Sequence, residues 1–123
     1  LNCGAQTDSY LQLMEVAILG PGDVVVGISQ SGSSVDPVLT LKRAKQNGVS
    51  TICITGNSQS PITEYADITL LSVAREARSE AIASRLAQAT IIDALYVIIA
   101  WQKLESTIQN EKRIWDALLP KML

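Results

Sequence analysis

The sequence contains no histidine, only two cysteines and no stripe of positive charge. Cys3 lies near the amino terminus and Cys53 lies inside an apolar run, so they form no CxxC pair and, without histidine, no zinc-type site. We therefore expect two reduced thiols, as in a cytosolic protein, and no bound metal. Lysine and arginine are scattered along a chain of net charge −2, which excludes the electrostatic pattern of a chain that grips nucleic acid by itself.

The chain also lacks a basic segment followed by an apolar one at its start. Its longest unbroken apolar run, Ala94–Trp101, is too short to span a bilayer, so we predict a cytoplasmic protein. The absence of an initiator methionine indicates a piece of a longer polypeptide. What is present, 123 residues that are 47% hydrophobic and 18% charged, fits one globular domain over residues 1–123.

The stretch Asp23–Asp36 organises the rest of the chain. An apolar, β-branched strand, Val24–Ser29, ends in a serine-rich turn, and a helical pattern follows at once. This strand has too few polar residues to be half-exposed, so we expect cover on both of its faces. Thr51–Thr55 and Ile68–Ser72 are further short strands, and helices separate them. The alternation predicts an α/β fold with a three-layer, mainly parallel, doubly wound sheet and right-handed crossovers.

Capping residues and the helical spacing of apolar residues predict the helices between and after these strands. Asp36 followed by Pro37 supplies a cap and a first helical residue, and Ser33 or Ser34 could equally cap the same helix. The predicted helices begin at Asp8 or Ser9 and stop at Gly20, run from about Pro37 to Gln46 with Gly48 just past the end, begin at Ser60-Pro61 and pass through Tyr65, and cover about 79–102 and 105–119.

The turn after the first strand collects hydrogen-bond donors in one place. Ser29, Gln30, Ser31, Ser33 and Ser34 lie within six residues, and the next helix adds free N–H groups and the positive end of its dipole. Such a turn suits a phosphate monoester, with the Gln30 carboxamide beside it for a sugar hydroxyl. Serines also form turns and caps without any ligand. One cap needs one serine, however, and ligands of open α/β sheets bind at the carboxyl ends of strands, which favours binding.

Two nucleotide-binding motifs are excluded by the same turn. The segment that begins at Gly27 nearly matches the P-loop spacing, but Ser33 stands where the phosphate-bridging lysine belongs, and Gly27 falls inside the strand. No GxGxxG follows a strand, so the sequence does not support a dinucleotide site. We therefore predict no cofactor.

The residues ISQSGSSVDPV and AKQNGVSTICITGNSQSPITEYADITLL resemble the sugar isomerase (SIS) domain, and the match runs through most of the chain. The segment AREARSEAIASRLAQATIIDALYVIIA is similar to the SIS domain of RpiR-type bacterial transcriptional regulators, which share the pattern R-S-E-A-x-A-S-R-x-A-Q. The resemblance implies a phosphosugar-binding fold in which Ser29, Ser31, Gly32 and Ser34 hold the phosphate, with Gln30 beside them. It also implies that the family's first strand and helix lie outside this chain, as does an N-terminal helix-turn-helix domain that binds DNA.

Isomerases of this fold need a group that moves a proton between adjacent carbons, and the chain has no histidine. Glu80, at the start of the long helix, is a candidate base, but a carboxylate in a first helical turn is more often a capping partner. We therefore assign it no catalytic role and count it instead among the candidate ligand-binding residues. For Arg75, Arg78 and Arg85 the solvated or paired interpretation is favoured over ligand contact. We therefore expect a non-catalytic domain that senses a phosphorylated sugar as effector. The alternatives are a ketose–aldose phosphate isomerase that uses Glu80 and a dimerisation module with a vestigial pocket.

The second half of the long helix is apolar nearly all round. A surface formed by Ala94–Trp101, together with Trp115, is too apolar to remain in water. We therefore expect a homodimer or a higher oligomer that buries this surface.

Overall fold

The structure is a computed structural model that describes residues 2–74 and 82–121. The chain divides between Gln88 and Ala89 into two compact units. The first contains a β-sheet with its helices, and the second contains helices alone. The elements in chain order are α1 (Ser9–Ile18), β1 (Val24–Ile28), α2 (Val35–Gln46), β2 (Ser50–Thr55), a 3-10 helix (Pro61–Tyr65), β3 (Ile68–Leu71), α3 (Ile82–Gln102), α4 (Leu104–Leu118) and a final 3-10 turn (Leu119–Lys121).

The three strands of the first unit form a parallel sheet in the order β1-β2-β3. The register pairs Val26 with Ile52, and Ile52 in turn with Ile68. The crossover from β1 to β2 contains α2, and the crossover from β2 to β3 contains the short 3-10 helix. The predicted α/β fold with a parallel sheet is confirmed, and all three strands end at the same edge.

One face of the sheet packs against α2 and the 3-10 helix. Gly27 of β1 lies beneath α2, and a Cβ atom there would come within 3.0 Å of two Leu41 side-chain atoms, so the missing side chain lets the helix approach the strand. Burying a large aliphatic side chain contributes about 1.5–3 kcal/mol, so the burial of Leu41 stabilises the packing of α2 on the sheet. The buried apolar residues of this layer form two clusters, Leu41, Cys53 and Ile62 in one and Val16, Ala44 and Val49 in the other.

The opposite face of β1 is open in the part of the chain that the structure describes. Side chains alternate along a strand, so Val24, Val26 and Ile28 point away from α2, and they are 57%, 44% and 42% exposed. On β2, by contrast, Ile54 is fully buried on this same face. The expectation of cover on both faces is met by β2 and not by β1. A continuous apolar run indicates that burial of both faces of a strand is favourable, but it does not identify the residues that bury them.

The caps of the first two helices differ from each other. Asp8 caps α1 as predicted, because its carboxylate accepts hydrogen bonds from two first-turn amides at 3.0 Å each. Of the caps that the sequence allowed for α2, Ser34 occupies the cap position, and Asp36 lies within the first turn. Pro37 is still tolerated there, since a first-turn N–H has no intrahelical acceptor. Gly48 follows α2 as predicted, with a positive φ of 74°.

The second unit consists of the later part of α3 and of α4. α3 ends at Gln102, as predicted, and α4 starts and ends one residue earlier than predicted. The predicted start of α3 at about residue 79 falls outside the described residues. Within the described residues 89–121 no side chain is buried, and Trp101 and Trp115 are 75% and 56% exposed.

α3 has the length and composition of a helix that can cross a membrane, with a mean hydropathy of 1.5 in its most apolar window. The unbroken run Ala94–Trp101 is too short to do so, but the 21-residue helix that contains it is not. The prediction from the run concerned those eight residues, and the length of the whole helix does not contradict it. Length and composition do not distinguish such a segment from the core helix of a globular protein. Its charged residues, Arg85 and Asp93, would each cost about 2.5–3.5 kcal/mol at the centre of a bilayer.

Candidate functional site

The serine-rich turn joins β1 to α2 at the carboxyl edge of the sheet. Ser29 is 7% exposed, and its N–H donates to the carbonyl of Ile54 at 3.0 Å, which extends the pairing of β1 with β2 by one residue. The Gly32 N–H donates to both the carbonyl and the Oγ of Ser29, at 3.1 and 3.2 Å. Ser29 therefore closes the turn from inside and holds the remaining serines above the strand end.

Gly32 lies against the segment that follows β2. Its φ is 65°, and its carbonyl accepts a hydrogen bond of 2.9 Å from the Ile62 N–H. A Cβ atom at this position would overlap the side chain of Ser60 and come within 2.8 Å of Thr55 Oγ1. Both the backbone conformation and the close approach therefore require glycine here.

Two hydroxyl groups of the turn, those of Ser31 and Ser34, keep protons to donate. Ser34 caps α2 without a side-chain hydrogen bond to the helix, and its Oγ instead accepts from Ser29 Oγ at 3.3 Å. The Ser31 Oγ accepts from the Ser33 N–H at 3.2 Å, and the Ser33 hydroxyl donates to the Ser31 carbonyl at 3.4 Å. Because a hydroxyl both donates and accepts, the Ser31 and Ser34 protons remain available to a ligand.

Backbone N–H groups at the start of α2 add further donors. The amides of Ser34, Val35 and Asp36 have no acceptor among the residues that the structure describes. These are first-turn positions, at the positive end of the helix dipole. Residues 29–36 contain no lysine or arginine, and their one charged side chain is the carboxylate of Asp36. The turn thus offers neutral donors, and the helix terminus supplies the positive partial charge.

Gln30 connects the turn to three other elements. Its backbone carbonyl accepts from the Gly56 N–H at 3.0 Å and from Thr55 Oγ1 at 3.4 Å. Its side-chain Oε1 accepts from Ser72 Oγ at 3.1 Å and from Gln88 Nε2 at 2.8 Å. The carboxamide that the sequence analysis assigned to a sugar hydroxyl is therefore held by the protein through its oxygen, and its Nε2 remains as the donor for a ligand.

Three polar residues of this edge were missed by the sequence analysis. Thr55 is the last residue of β2 and is 0% exposed, and Ser72 directly follows β3 and is 1% exposed. Their positions were a usable signal, because the carboxyl ends of parallel strands meet at one edge. Gln88 is the last residue of the R-S-E-A-x-A-S-R-x-A-Q pattern, and it lies one helical turn after the buried Ser84. The pattern contained the residue, but no role followed from it.

Of the four charged candidates, the structure describes only Arg85. Glu80, Arg75 and Arg78 lie outside the described residues. Arg85 is exposed and forms no ion pair with any residue in the described ranges. Within those ranges there is also no group of three or more potential metal ligands.

Two open clefts lie away from the turn, on the outer surface of α2. One has a volume of about 360 Å³ and is lined in part by Leu13, Leu39 and Arg43. The other, of about 260 Å³, lies beside Lys42 and Tyr65. Both are shallow grooves between helices, and neither contains a strand end. The turn is therefore the better candidate, because it combines unpaired amides and hydroxyls at the sheet edge where ligands of such folds bind.

The model of the SIS domain family matches residues 5–98 of the chain. An uncharacterized HTH-type transcriptional regulator of Caldanaerobacter subterraneus is 40% identical over 109 residues, which cover 87% of this chain and 39% of that protein. The HTH-type transcriptional regulator RpiR of Escherichia coli K12 is 32% identical over 115 residues, covering 92% of this chain and 39% of that protein. The chain thus spans about two fifths of the length of these relatives.

Solved structures share the fold. The Vibrio vulnificus NanR protein complexed with ManNAc-6P matches with a TM-score of 0.78 at 19% identity, covering 95% of this chain and 45% of that one. The sugar isomerase domain of an RpiR transcription factor from Sphaerobacter thermophilus matches with a TM-score of 0.70 at 24% identity, covering 93% and 60%. A candidate sugar-phosphate isomerase from Listeria monocytogenes matches with a TM-score of 0.64 at 27% identity, covering 72% and 49%.

Proposed function

We propose, from the premise that this chain belongs to the SIS domain family, that it binds a phosphorylated sugar and acts as the effector-sensing part of a bacterial transcriptional regulator. The phosphate is held by the turn of Ser29, Ser31, Gly32, Ser33 and Ser34, and Gln30 lies beside it. The single observation that carries this proposal is the set of hydrogen-bond donors without an acceptor at the start of α2. They are the backbone amides of Ser34, Val35 and Asp36 and the neighbouring hydroxyl protons.

The chemistry of these donors fits a phosphate monoester. Its oxygens accept hydrogen bonds, and each bond to a charged group contributes roughly 1.5–3 kcal/mol. A helix N-terminus favours negative charge at this place. Glu80, the one charged residue proposed near the ligand, lies outside the described residues, and its place in the proposal comes from the sequence analysis.

The relatives support the regulatory role. Two of them are HTH-type transcriptional regulators, and a fold neighbour was solved in complex with ManNAc-6P. The net charge of −2 and the scattered basic residues make this chain unsuited to bind DNA alone. We therefore assign DNA contact to a helix-turn-helix domain elsewhere in the polypeptide. We also assign the protein to the cytoplasm.

A titration of the full-length protein tests the proposal. The probes are ManNAc-6P, glucose 6-phosphate and their unphosphorylated sugars, and the measurement is the melting temperature with calorimetric affinity. We expect stabilisation by at least one phosphorylated sugar, none by its unphosphorylated form, and a much weaker effect in Ser31→Ala. Ser58→Ala, an exposed serine outside the turn, is the matched control. No shift with any sugar phosphate, or an equal shift in both variants, would contradict the proposal.

A second candidate function is isomerisation of a sugar phosphate, which the Listeria neighbour favours. We assign a non-catalytic role because the chain has no histidine and its similar relatives are regulators. The same titration decides between them when the bound sugar is recovered and analysed. Conversion of an aldose to a ketose phosphate that Glu80→Gln abolishes would establish the enzyme, whereas unchanged ligand supports the sensor.

Self-association is the last part of the proposal. The apolar residues of Ala94–Trp101 and Trp115 are exposed in the single chain, and a homodimer or higher oligomer would cover them. We also propose that the two units act as one SIS-like domain, because the family match extends to residue 98, past the division at Gln88. Sedimentation of the full-length protein as a monomer at micromolar concentration would refute the oligomer.

A further inference from the structure

The Gln30 side chain differs from the neighbouring serines of the turn in its hydrogen-bond partners, which lie outside the turn. Ser31 and Ser33 are exposed and bond to each other, whereas Gln30 is half-buried and its Oε1 bonds to residues 42 and 58 positions away. The bond of 2.8 Å from Gln88 Nε2 is the shorter of the two. This contact joins the turn directly to the first part of α3.

A residue that acts only as a sugar ligand does not need this arrangement. The carboxamide oxygen already accepts two hydrogen bonds, so a sugar hydroxyl could donate to it only by displacing Ser72 or Gln88. The backbone carbonyl of the same residue is fixed by the Gly56 N–H at 3.0 Å. The geometry thus gives Gln30 the role of a fixed connection between elements.

We infer that Gln30 is a positioning residue whose hydrogen bond to Gln88 couples occupation of the serine turn to the docking of residues 82–88 of α3. The inference rests on the proposed function, since it concerns the same ligand. A phosphate held by Ser31 and Ser34 restrains the backbone that directly follows Gln30, and this restraint favours the conformation that presents Oε1 to Gln88. By linkage, a docked Gln88 raises the affinity for the ligand by the same factor.

Gln88 is well placed to receive this restraint. It is half-buried and follows the 1% exposed Ser84 by one turn on the same side of α3. Among the residues that the structure describes, Gln88 forms a hydrogen bond with the turn only through Gln30, so its replacement leaves every phosphate donor in place. An effect of Gln88 on affinity would therefore travel through Gln30.

The test uses the full-length protein and the sugar phosphate that gives the largest thermal shift with the wild type. Gln88→Met keeps the length of the side chain and removes the donor, and Gln88→Ala is the second variant if the first does not fold. We expect affinity about three- to tenfold weaker, as when one hydrogen bond is lost. The ligand should also slow amide exchange at residues 82–88 in the wild type and not in Gln88→Met, which a merely structural role would not produce.

A double-mutant cycle gives the sharper result. Gln30→Ala and Gln88→Met combined should weaken binding no more than Gln30→Ala alone, because both break one connection. Gln109→Ala, on the exposed surface of α4, is the control and should bind like the wild type. Unchanged affinity in Gln88→Met, or additive losses in the cycle, would overturn the coupling while leaving the proposed function intact. Absence of binding by the wild type to any sugar phosphate would overturn both.

Discussion

The amino and carboxyl ends of the three parallel strands carry different kinds of polar residue. At the amino end the Asp67 carboxylate accepts from the Thr51 N–H at 2.9 Å and from its hydroxyl at 3.0 Å, and the Lys45 ammonium lies 3.5 Å away. These contacts, led by the Thr51 backbone hydrogen bond, hold the pKa of Asp67 below its usual range. At the carboxyl end the polar residues are neutral, with Ser29, Thr55 and Ser72 beside Gln30.

The difference lies in what remains unpaired. At the amino end the negatively charged acceptor, the Asp67 carboxylate, already receives hydrogen bonds from the protein itself, so this end offers no donors to an outside anion. At the carboxyl end the hydroxyls of Ser31 and Ser34 and the first amides of α2 keep donors without a negative partner among the described residues. One end of the sheet therefore uses its polar groups to hold the strands, and the other leaves room for an anion from outside.

The largest expected effect concerns Gly32 and Gly48, two of the three glycines with positive φ. Gly32→Ala should destabilise the protein by about 2–5 kcal/mol, because it adds a left-handed backbone penalty to overlap with Ser60 and Thr55. Gly48→Ala is the matched control near the amino end. Its φ of 74° is similar, but the added Cβ would meet only Pro21 Cγ, at 3.4 Å.

We therefore expect Gly48→Ala to cost about 1–2 kcal/mol, from the backbone conformation alone. Urea unfolding of both variants measures the difference. Equal losses would show that the close packing of the turn against the segment after β2 does not stabilise the fold, and the contrast between the two ends would weaken accordingly.

An intermediate effect separates two helix caps. Ser34→Ala should change the free energy of unfolding by no more than about 0.5 kcal/mol, because the Ser34 side chain makes no cap hydrogen bond and the one that it accepts, from Ser29 Oγ, is long at 3.3 Å. It should weaken sugar-phosphate binding roughly tenfold by removing a donor to a charged ligand. Asp8→Ala should do the reverse, with about 1 kcal/mol of stability lost and binding unchanged. Denaturant unfolding and calorimetry on both proteins check this, and a stability loss in Ser34→Ala equal to that in Asp8→Ala would contradict it.

The sequence predicted more of the fold than of the connections within the site. The strands, the Asp8 cap and the 3-10 helix follow from local patterns, and the structure places them within a residue or two. For the cap of α2 the local pattern allowed Asp36, Ser33 and Ser34 alike, and the structure places Ser34 there.

The partners of Gln30 lay beyond sequence reasoning of this kind. Ser72 and Gln88 are 42 and 58 residues away in the chain, and only the folded sheet edge brings them to one atom. The position of Ser72 at a strand end could have suggested its location, but not its bond to Gln30. A local pattern identifies the groups that a site has available, and the tertiary fold decides which of them the protein itself uses.

The smallest expected effect sharpens the comparison at the amino end. Because the pKa of Asp67 is lowered in the folded protein, the unfolded chain takes up a proton there first as the pH falls. The stability that the carboxylate contributes is thus complete above its ordinary pKa of about 3.9 and is lost as the pH falls below it. Asp67→Asn should therefore be less sensitive than the wild type to acidification from about pH 5 to pH 3, with unchanged sugar-phosphate binding at neutral pH.

Lys45→Met tests which partner of Asp67 matters more. The Thr51 backbone hydrogen bond is the main cause of the lowered pKa and Lys45 is a lesser one, since this half-exposed ion pair is screened by water. We expect Lys45→Met to retain most of the wild-type acid dependence, measured as the urea midpoint at each pH. If Lys45→Met instead behaved like Asp67→Asn, the ion pair rather than the strand amide would stabilise this end. If either variant weakened ligand binding, the two ends of the sheet would not be independent.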